Sequence, residues 1–195
     1  MAKKKPAIEQ DADIATRVKI DPAAPQGYRP ADPATNRPAI WSSEPEIAQL
    51  ILAIAANTKA KTIIEVGCFR GATTTQLAAS GLDIHVVDIA PELPPMPPNV
   101  TVYVGDSIAL APKLPKADII FFDSVHEFKR QRDEFQRYER ICGNPNTTYI
   151  FHDAIHIADV AAFCAWLREW YDVVIINTTD NRGLAIAKWK GSRKK

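Results

Sequence analysis

Apolar and polar positions divide the chain into three stretches of different character. Residues 1–40 carry six prolines, scattered charges and few large apolar residues, and no helical or strand period survives there. This stretch reads as an arm or tail. Order begins near Trp41: Ser43 is placed to cap a helix, Pro45 suits its first turn, and Ile47, Leu50, Ile51 and Ile54 form one apolar stripe. Short runs rich in Ile, Val and Phe then alternate with helical segments. Strands are predicted at 61–66, 83–88, 100–104, 117–123 and 147–153, and helices at 71–80, 107–114, 127–141 and 157–170. Strands this uniformly apolar are covered on both faces, which means a parallel sheet flanked by helices. The last two strands, 173–177 and 183–189, are joined by only five residues, TTDNR, too few for a parallel crossover. They must form an antiparallel hairpin.

One connection departs from the alternation. Residues 89–99, IAPELPPMPPN, hold five prolines in eleven residues, so no ordinary helix fits between the second and third strands. One sheet face therefore loses a cover there, and the expectation is that the N-terminal arm or a second subunit, as in a homodimer, supplies it.

Composition narrows the class without naming a chemistry. With 195 residues, 46% hydrophobic and 24% charged, the chain is one ordinary globular domain with an appendage. A formal net charge of +1 is not the footprint of a nucleic-acid binder, and the basic tips at 3–5 and 193–195 read as solubilising ends. The three widely spaced cysteines form no disulfide framework or thiolate zinc pattern, which suits a reducing, cytoplasmic setting. No apolar run is long enough to suggest a membrane span. The helix over 127–141 mixes five basic residues with Asp133, Glu134 and Glu139, the pattern of a salt-bridged, solvated face.

Candidate chemistry gathers at the carboxyl ends of the parallel strands, where open α/β sheets bind their ligands. The first strand runs through Glu65, Val66, Gly67, Cys68, Phe69, Arg70 and Gly71 directly into a helix. The second ends in Asp88, 23 residues after Glu65, the place of a carboxylate that accepts from both hydroxyls of a ribose. The third ends in Gly105-Asp106-Ser107, the fourth in Asp123, and the fifth in His152-Asp153. Any one of these acids could simply cap a helix, but five successive strand ends carrying an acid ask for another reason.

The string EVGCFRGATT, Asp88 after Val86-Val87, GDS after the third strand and FFD ending the fourth resemble the class I S-adenosylmethionine-dependent methyltransferases. The resemblance spans 41–190, taken as the methyltransferase domain between the arm (1–40) and a basic tail (191–195). It implies a Rossmann-like three-layer α/β sandwich, a seven-stranded mostly parallel sheet of order 3-2-1-4-5-7-6 with the last strand antiparallel. A nicotinamide fingerprint, G-x-G-x-x-G, does not fit Glu65-x-Gly67-x-x-x-Gly71. Asp123-Ser124-Val125-His126, Asp133 ten residues on and His152-Asp153 further resemble a branch of small-molecule O-methyltransferases acting on sugars and macrolides. Ser124 and Val125 stand where that branch has Gly-Asp.

The resemblance implies that S-adenosylmethionine is held by Glu65, Gly67, Cys68, Phe69, Gly71, Asp88, Ile89, Asp106, Ser107 and Asp123. Glu65 would take its amino end, Asp88 its ribose, and Asp106 and Ser107 its adenine edge. Relatives in the branch use Mg²⁺ held by carboxylates after strands four and five, here Asp123 and Asp153. His126, His152 and His156 are candidate bases, with Asp153 beside them, for a small-molecule hydroxyl acceptor. An RNA or protein methyltransferase, or a cofactor-binding member without methyl transfer, are the alternative readings. The Asn/Asp-Pro-Pro-Tyr string of amino-methylating enzymes is absent after strand four.

Overall fold

A computed structural model describes residues 43–191, so the arm (1–40) and nearly all of the basic tail lie outside the described residues. The elements in chain order are α1 (Pro45–Thr58), β1 (Thr62–Val66), α2 (Ala72–Ala78), β2 (Asp83–Asp88), β3 (Val100–Val104), α3 (Ser107–Leu110), β4 (Ile119–Phe122), α4 (Phe128–Ile141), β5 (Thr148–Phe151), α5 (Ala158–Leu167), β6 (Tyr171–Ile176) and β7 (Leu184–Trp189). The sheet order is β3-β2-β1-β4-β5-β7-β6. β1 to β5 pair in parallel, and β7 runs antiparallel to both β5 and β6. This is the Rossmann-like sandwich expected from the sequence.

Two cores cover the two sheet faces. On one, Ile47, Ile51 and Ala55 of α1 and Leu77 of α2 pack on Ile63, Ile84, Val86, Ile119 and Phe121. On the other, Phe135 and Tyr138 of α4 and Val160, Phe163 and Leu167 of α5 pack on Phe122, Tyr149 and Phe151. Phe122 stacks on Phe151 at 5.0 Å, and Phe135 meets Tyr149 edge-on at 5.1 Å. Such burial of large aromatic surface is the main source of stability at this layer.

Three local expectations change. Glu44, not Ser43, occupies the N-cap position of α1 and makes no side-chain cap bond. Ser43 instead donates to Asp123 Oδ2 at 2.6 Å. The helix predicted over 107–114 is one turn of α3 followed by a 3-10 turn, Ala111–Lys113, because Pro112 interrupts it. The face of α4 read as solvated is also corrected: Gln131, Asp133 and Glu134 are buried together with Phe135 and Tyr138. Positions 131, 134, 135 and 138 follow the helical period and so share the inward face.

The segment 89–99 forms no helix, as its prolines require. Register places Val100 and Val102 beside Ile84 and Val86, on the face that α1 and α2 cover elsewhere. Leu93 packs against that core from the proline-rich segment, while Val102 and Val104 stay 37% and 63% exposed. Among the described residues, no helix is long and apolar enough to cross a membrane.

Candidate active site

At the end of β1 the chain turns through Gly67, whose φ of +87° is open to glycine, and a Cβ there would lie 2.4 Å from the Asp123 carbonyl oxygen. That contact is how β1 and β4 come close enough to share one cleft. Asp88, at the tip of β2, holds the loop in place. Its Oδ2 accepts from the backbone N–H groups of Cys68 (2.8 Å) and Phe69 (2.9 Å), and its Oδ1 accepts from that of Ala90 (2.8 Å). Phe69 takes a left-handed backbone, φ 47°, inside this grip. Glu65 is buried beneath, accepting from the Thr74 hydroxyl at 2.7 Å. Burial, reinforced by the negative charges of Asp123 and Asp88, pushes its carboxyl up to about 8. Burial and Asp88 likewise raise the Cys68 thiol, which makes it a poor nucleophile.

A cleft of about 310 Å³, its open mouth included, lies above these strand ends; Gly67, Asp88, Ile89, Asp106, Ser107 and Ser124 line it with Val125 and Arg130. Asp106 caps α3 by accepting from the Ala109 N–H at 2.9 Å, and takes a second bond from Arg130 Nη2 at 2.5 Å. Behind the cleft wall sits Glu134, fully buried. Ser124 donates to it at 2.7 Å, and Ser107 donates to its other oxygen. Burial raises the Glu134 carboxyl against the opposing pull of these two hydroxyls and of Arg130.

Beyond Gly67, on the β4 and β5 side, the polar groups are of both signs. His152 is buried between two carboxylates, with Nδ1 2.9 Å from Asp123 Oδ1 and Nε2 2.7 Å from Glu44 Oε2. Burial opposes its charge, but Asp123, Glu44 and Asp153 outweigh that and raise it to about 10. Glu44 also accepts from the Thr178 hydroxyl at 2.6 Å. Against its burial, the bonds from His152 and Thr178 hold its carboxyl down to about 2. Asp123 is half-buried, and against the cost of its desolvation His152 and His126 hold its carboxyl well below the usual carboxylate range. His126 Nε2 lies 3.1 Å from Asp153 Oδ2 and 3.8 Å from Asp123 Oδ1. Against burial, these two acids raise it to about 9. Asp153 has a left-handed backbone, φ 59°, and its buried Oδ1 has no hydrogen-bond partner.

The expected metal pair, Asp123 and Asp153, is thus brought together, and His152 joins it: one donor atom from each lies within 4.8 Å of the others. The orphaned Asp153 oxygen beside the Asp123 carboxylate fits a divalent cation, while His152, protonated between Asp123 and Glu44, offers it no lone pair. His126, His152 and Asp153 lie together, with Asp153 Oδ2 3.1 Å from His126 Nε2 and 3.8 Å from His152 Nδ1. His156 lies exposed further along the same loop, its backbone N–H bonded to the Arg182 carbonyl at 3.0 Å. Asp133, expected near the site, faces Arg132 at 3.2 Å, and its neighbour Glu134 is the acid behind the cleft.

No protein-family model and no curated protein matches the chain in sequence. Solved structures do match in shape. An O-methyltransferase from Bacillus cereus in complex with SAH superposes with a TM-score of 0.63 at 16% identity, covering 80% of this chain and 86% of its own. The SAH-bound Podospora anserina methyltransferase PaMTH1 gives 0.62 at 16% identity over 77% and 81% of the two chains. The O-methyltransferase TomG from Streptomyces achromogenes, involved in tomaymycin synthesis and solved with SAM, gives 0.58 at 13% identity over 77% and 82%. The chain has the fold of the class I S-adenosylmethionine-dependent methyltransferases.

Proposed function

We propose that this protein is an S-adenosylmethionine-dependent methyltransferase that methylates a hydroxyl of a small molecule of sugar or polyol type. The observation that carries the reading is the cleft on this fold, where the half-buried carboxyl of Asp88 and, beneath it, the buried carboxyl of Glu65 have only backbone and hydroxyl donors. A ligand carrying a sulfonium and an ammonium would supply the missing positive charge. Gly67 lets the backbone approach that ligand, while Asp88 retains acceptor capacity for a ribose edge after fixing the loop. The shape neighbours solved with SAH or SAM support the same reading.

Methyl transfer is an in-line displacement in which the acceptor oxygen forms a bond to the methyl carbon as the carbon–sulfur bond breaks. Positioning supplies much of the rate. The hydroxyl proton must also leave. His152 has both ring nitrogens committed to carboxylates and serves as a fixed imidazolium that positions Asp123. His126, the more exposed of the two, is the base that reaches the acceptor once it has shed its own proton. A divalent cation, when bound, would be held by Asp123 and Asp153 and would lower the pKa of an acceptor hydroxyl.

The acceptor is a small molecule: two of the five basic residues of α4, Arg130 and Arg132, are spent on Asp106 and Asp133, which supports this over a nucleic-acid surface. The cysteines of the structure are free thiols, which suits a cytoplasmic setting.

Calorimetric titration with S-adenosylmethionine and with S-adenosylhomocysteine (SAH), with and without Mg²⁺, tests the reading on wild type and Asp88→Ala. Micromolar binding that Asp88→Ala loses while remaining folded is expected. A folded wild-type protein that binds neither ligand under either condition overturns the methyltransferase reading.

A further inference from the structure

Glu134 belongs to no feature that the methyltransferase reading uses, yet it is fully buried and organises one wall of the cleft. Its two oxygens each accept a serine hydroxyl, Ser107 from the start of α3 and Ser124 from the turn after β4. Both serines line the cleft and Glu134 lies behind them. A hydroxyl has a single hydrogen. Because each serine spends that hydrogen on Glu134, what it presents to the cleft is lone pairs. Asp106, the next polar group along the wall, also presents acceptor oxygens, since its existing bonds from Ala109 and Arg130 are both accepted ones. Arg130, the cationic side chain on the same wall, is turned onto Asp106 through Nη2 with its Nε buried, so the serines and Asp106 present acceptors to the cleft, and Glu134 sets the two serines that way.

We propose that Glu134 sets the base specificity of the cofactor site by orienting the Ser107 and Ser124 hydroxyls as acceptors, selecting a purine whose edge carries an amino group over one that carries an oxo group. The inference rests on the reading that the cleft binds S-adenosylmethionine. An exocyclic amine can donate to this wall. An oxo group in its place puts acceptor against acceptor, and a desolvated mismatch of that kind is costly. Glu134 touches neither cofactor nor acceptor; it is a positioning residue that acts through the two serines.

The conservative variant Glu134→Gln exposes the effect. Its amide oxygen can still accept from one serine, but its NH₂ must donate to the other, whose hydroxyl hydrogen is then free to turn into the cleft. The wall becomes mixed.

The test compares SAH with S-inosylhomocysteine, in which an oxo group replaces the 6-amino group, by calorimetric titration of wild type and Glu134→Gln, with folding checked by circular dichroism. Wild type should favour SAH by about tenfold or more, and Glu134→Gln should lower that ratio by about tenfold, partly through tighter binding of the inosyl ligand. A merely structural role would weaken both ligands equally and leave the ratio unchanged, which overturns the proposal. If Glu134→Gln does not fold, Ser107→Ala decides in its place, since it removes one oriented acceptor and must also narrow the ratio; an unchanged ratio overturns the proposal there too. A folded wild type that binds neither ligand overturns the cofactor reading instead, and the inference with it.

Discussion

Glu65 and Glu44 are both buried carboxyls at the carboxyl ends of the parallel strands, yet one is pushed up to about 8 and the other held down to about 2. The difference lies in their company. Glu65 has a threonine hydroxyl for a partner and two further acids nearby, whereas Glu44 has an imidazolium and a threonine. The same division runs through the whole site. Around β1 and β2 the acids lean on backbone N–H groups and hydroxyls; around β4 and β5 they alternate with His126 and His152. The first half is left short of positive charge and suits a cationic ligand. The second half has neutralised most of its own charge, which keeps acids and bases in fixed places. A buried carboxyl is thus informative only together with its partners.

Removing a partner in the compensated half should have the largest effect. Glu44→Ala would leave His152 buried with one N–H unpaired, at a cost of about 3 kcal/mol or more, while Glu44→Gln keeps a hydrogen-bond acceptor and should lose less. The pH dependence identifies the pair. Glu44 moves from 4.5 to about 2 on folding, so its contribution is present above 4.5 and is lost as pH falls through 2. His152 moves from 6.5 to about 10, so its contribution is complete below 6.5 and is lost as pH rises through 10. Urea unfolding of wild type and both variants across pH 5 to 10 measures this. A Glu44→Ala penalty that does not shrink toward pH 10 would contradict the imidazolium assignment.

These two halves were not equally legible in the sequence. The half around β1 and β2 comes from residues at the ends of successive strands, so locating the strands located Gly67, Asp88 and Asp106 at once. The other half is assembled across the chain: Glu44 meets His152 over 108 residues and Thr178 over 134. Nothing in the run Ser43-Glu44-Pro45 marks Glu44 as more than an acid suited to a helix start. Ser43 read as a cap because local spacing allowed it, but the tertiary fold brought Asp123 within its reach. Glu134 was legible in principle. It shares the helical face of Phe135 and Tyr138, but the density of arginines around it made α4 read as solvated, and charge count overrode periodicity. The proline-rich stretch 89–99 was the reverse case, since an absent helix follows directly from five prolines.

A second prediction probes the uncompensated half. Glu65 moves from 4.5 to about 8 on folding, so the ligand-free protein keeps this proton and loses stability as pH rises from 4.5 through 8. A ligand bringing an ammonium to Glu65 would reverse the shift. SAH binding at pH 7 should therefore release about one proton, read as a dependence of the calorimetric enthalpy on buffer ionisation enthalpy. Glu65→Gln should abolish that dependence. If the wild-type enthalpy is the same in all buffers, the carboxyl is not the group that meets the ligand's charge.

The smallest effect is expected from an ion pair that looks no different on distance alone. Arg70 Nε and Glu92 Oε2 are 3.0 Å apart, against 2.7 Å for His152 and Glu44. Their side chains, however, are 67% and 58% exposed, where those of His152 and Glu44 are 1% and 2%. In water-rich surroundings the attraction is screened and offset by the entropy of holding two long side chains together. Arg70→Ala and Glu92→Ala should each change stability by about 0.5 kcal/mol or less, and the double variant should show little coupling. Urea unfolding of the full double-mutant cycle, repeated for Glu44 and His152, sets the two pairs on one scale. Coupling of similar size in both cycles would mean that the segment 89–99 is held far more rigidly to the glycine loop than its exposure implies, and that burial is not what separates the two halves.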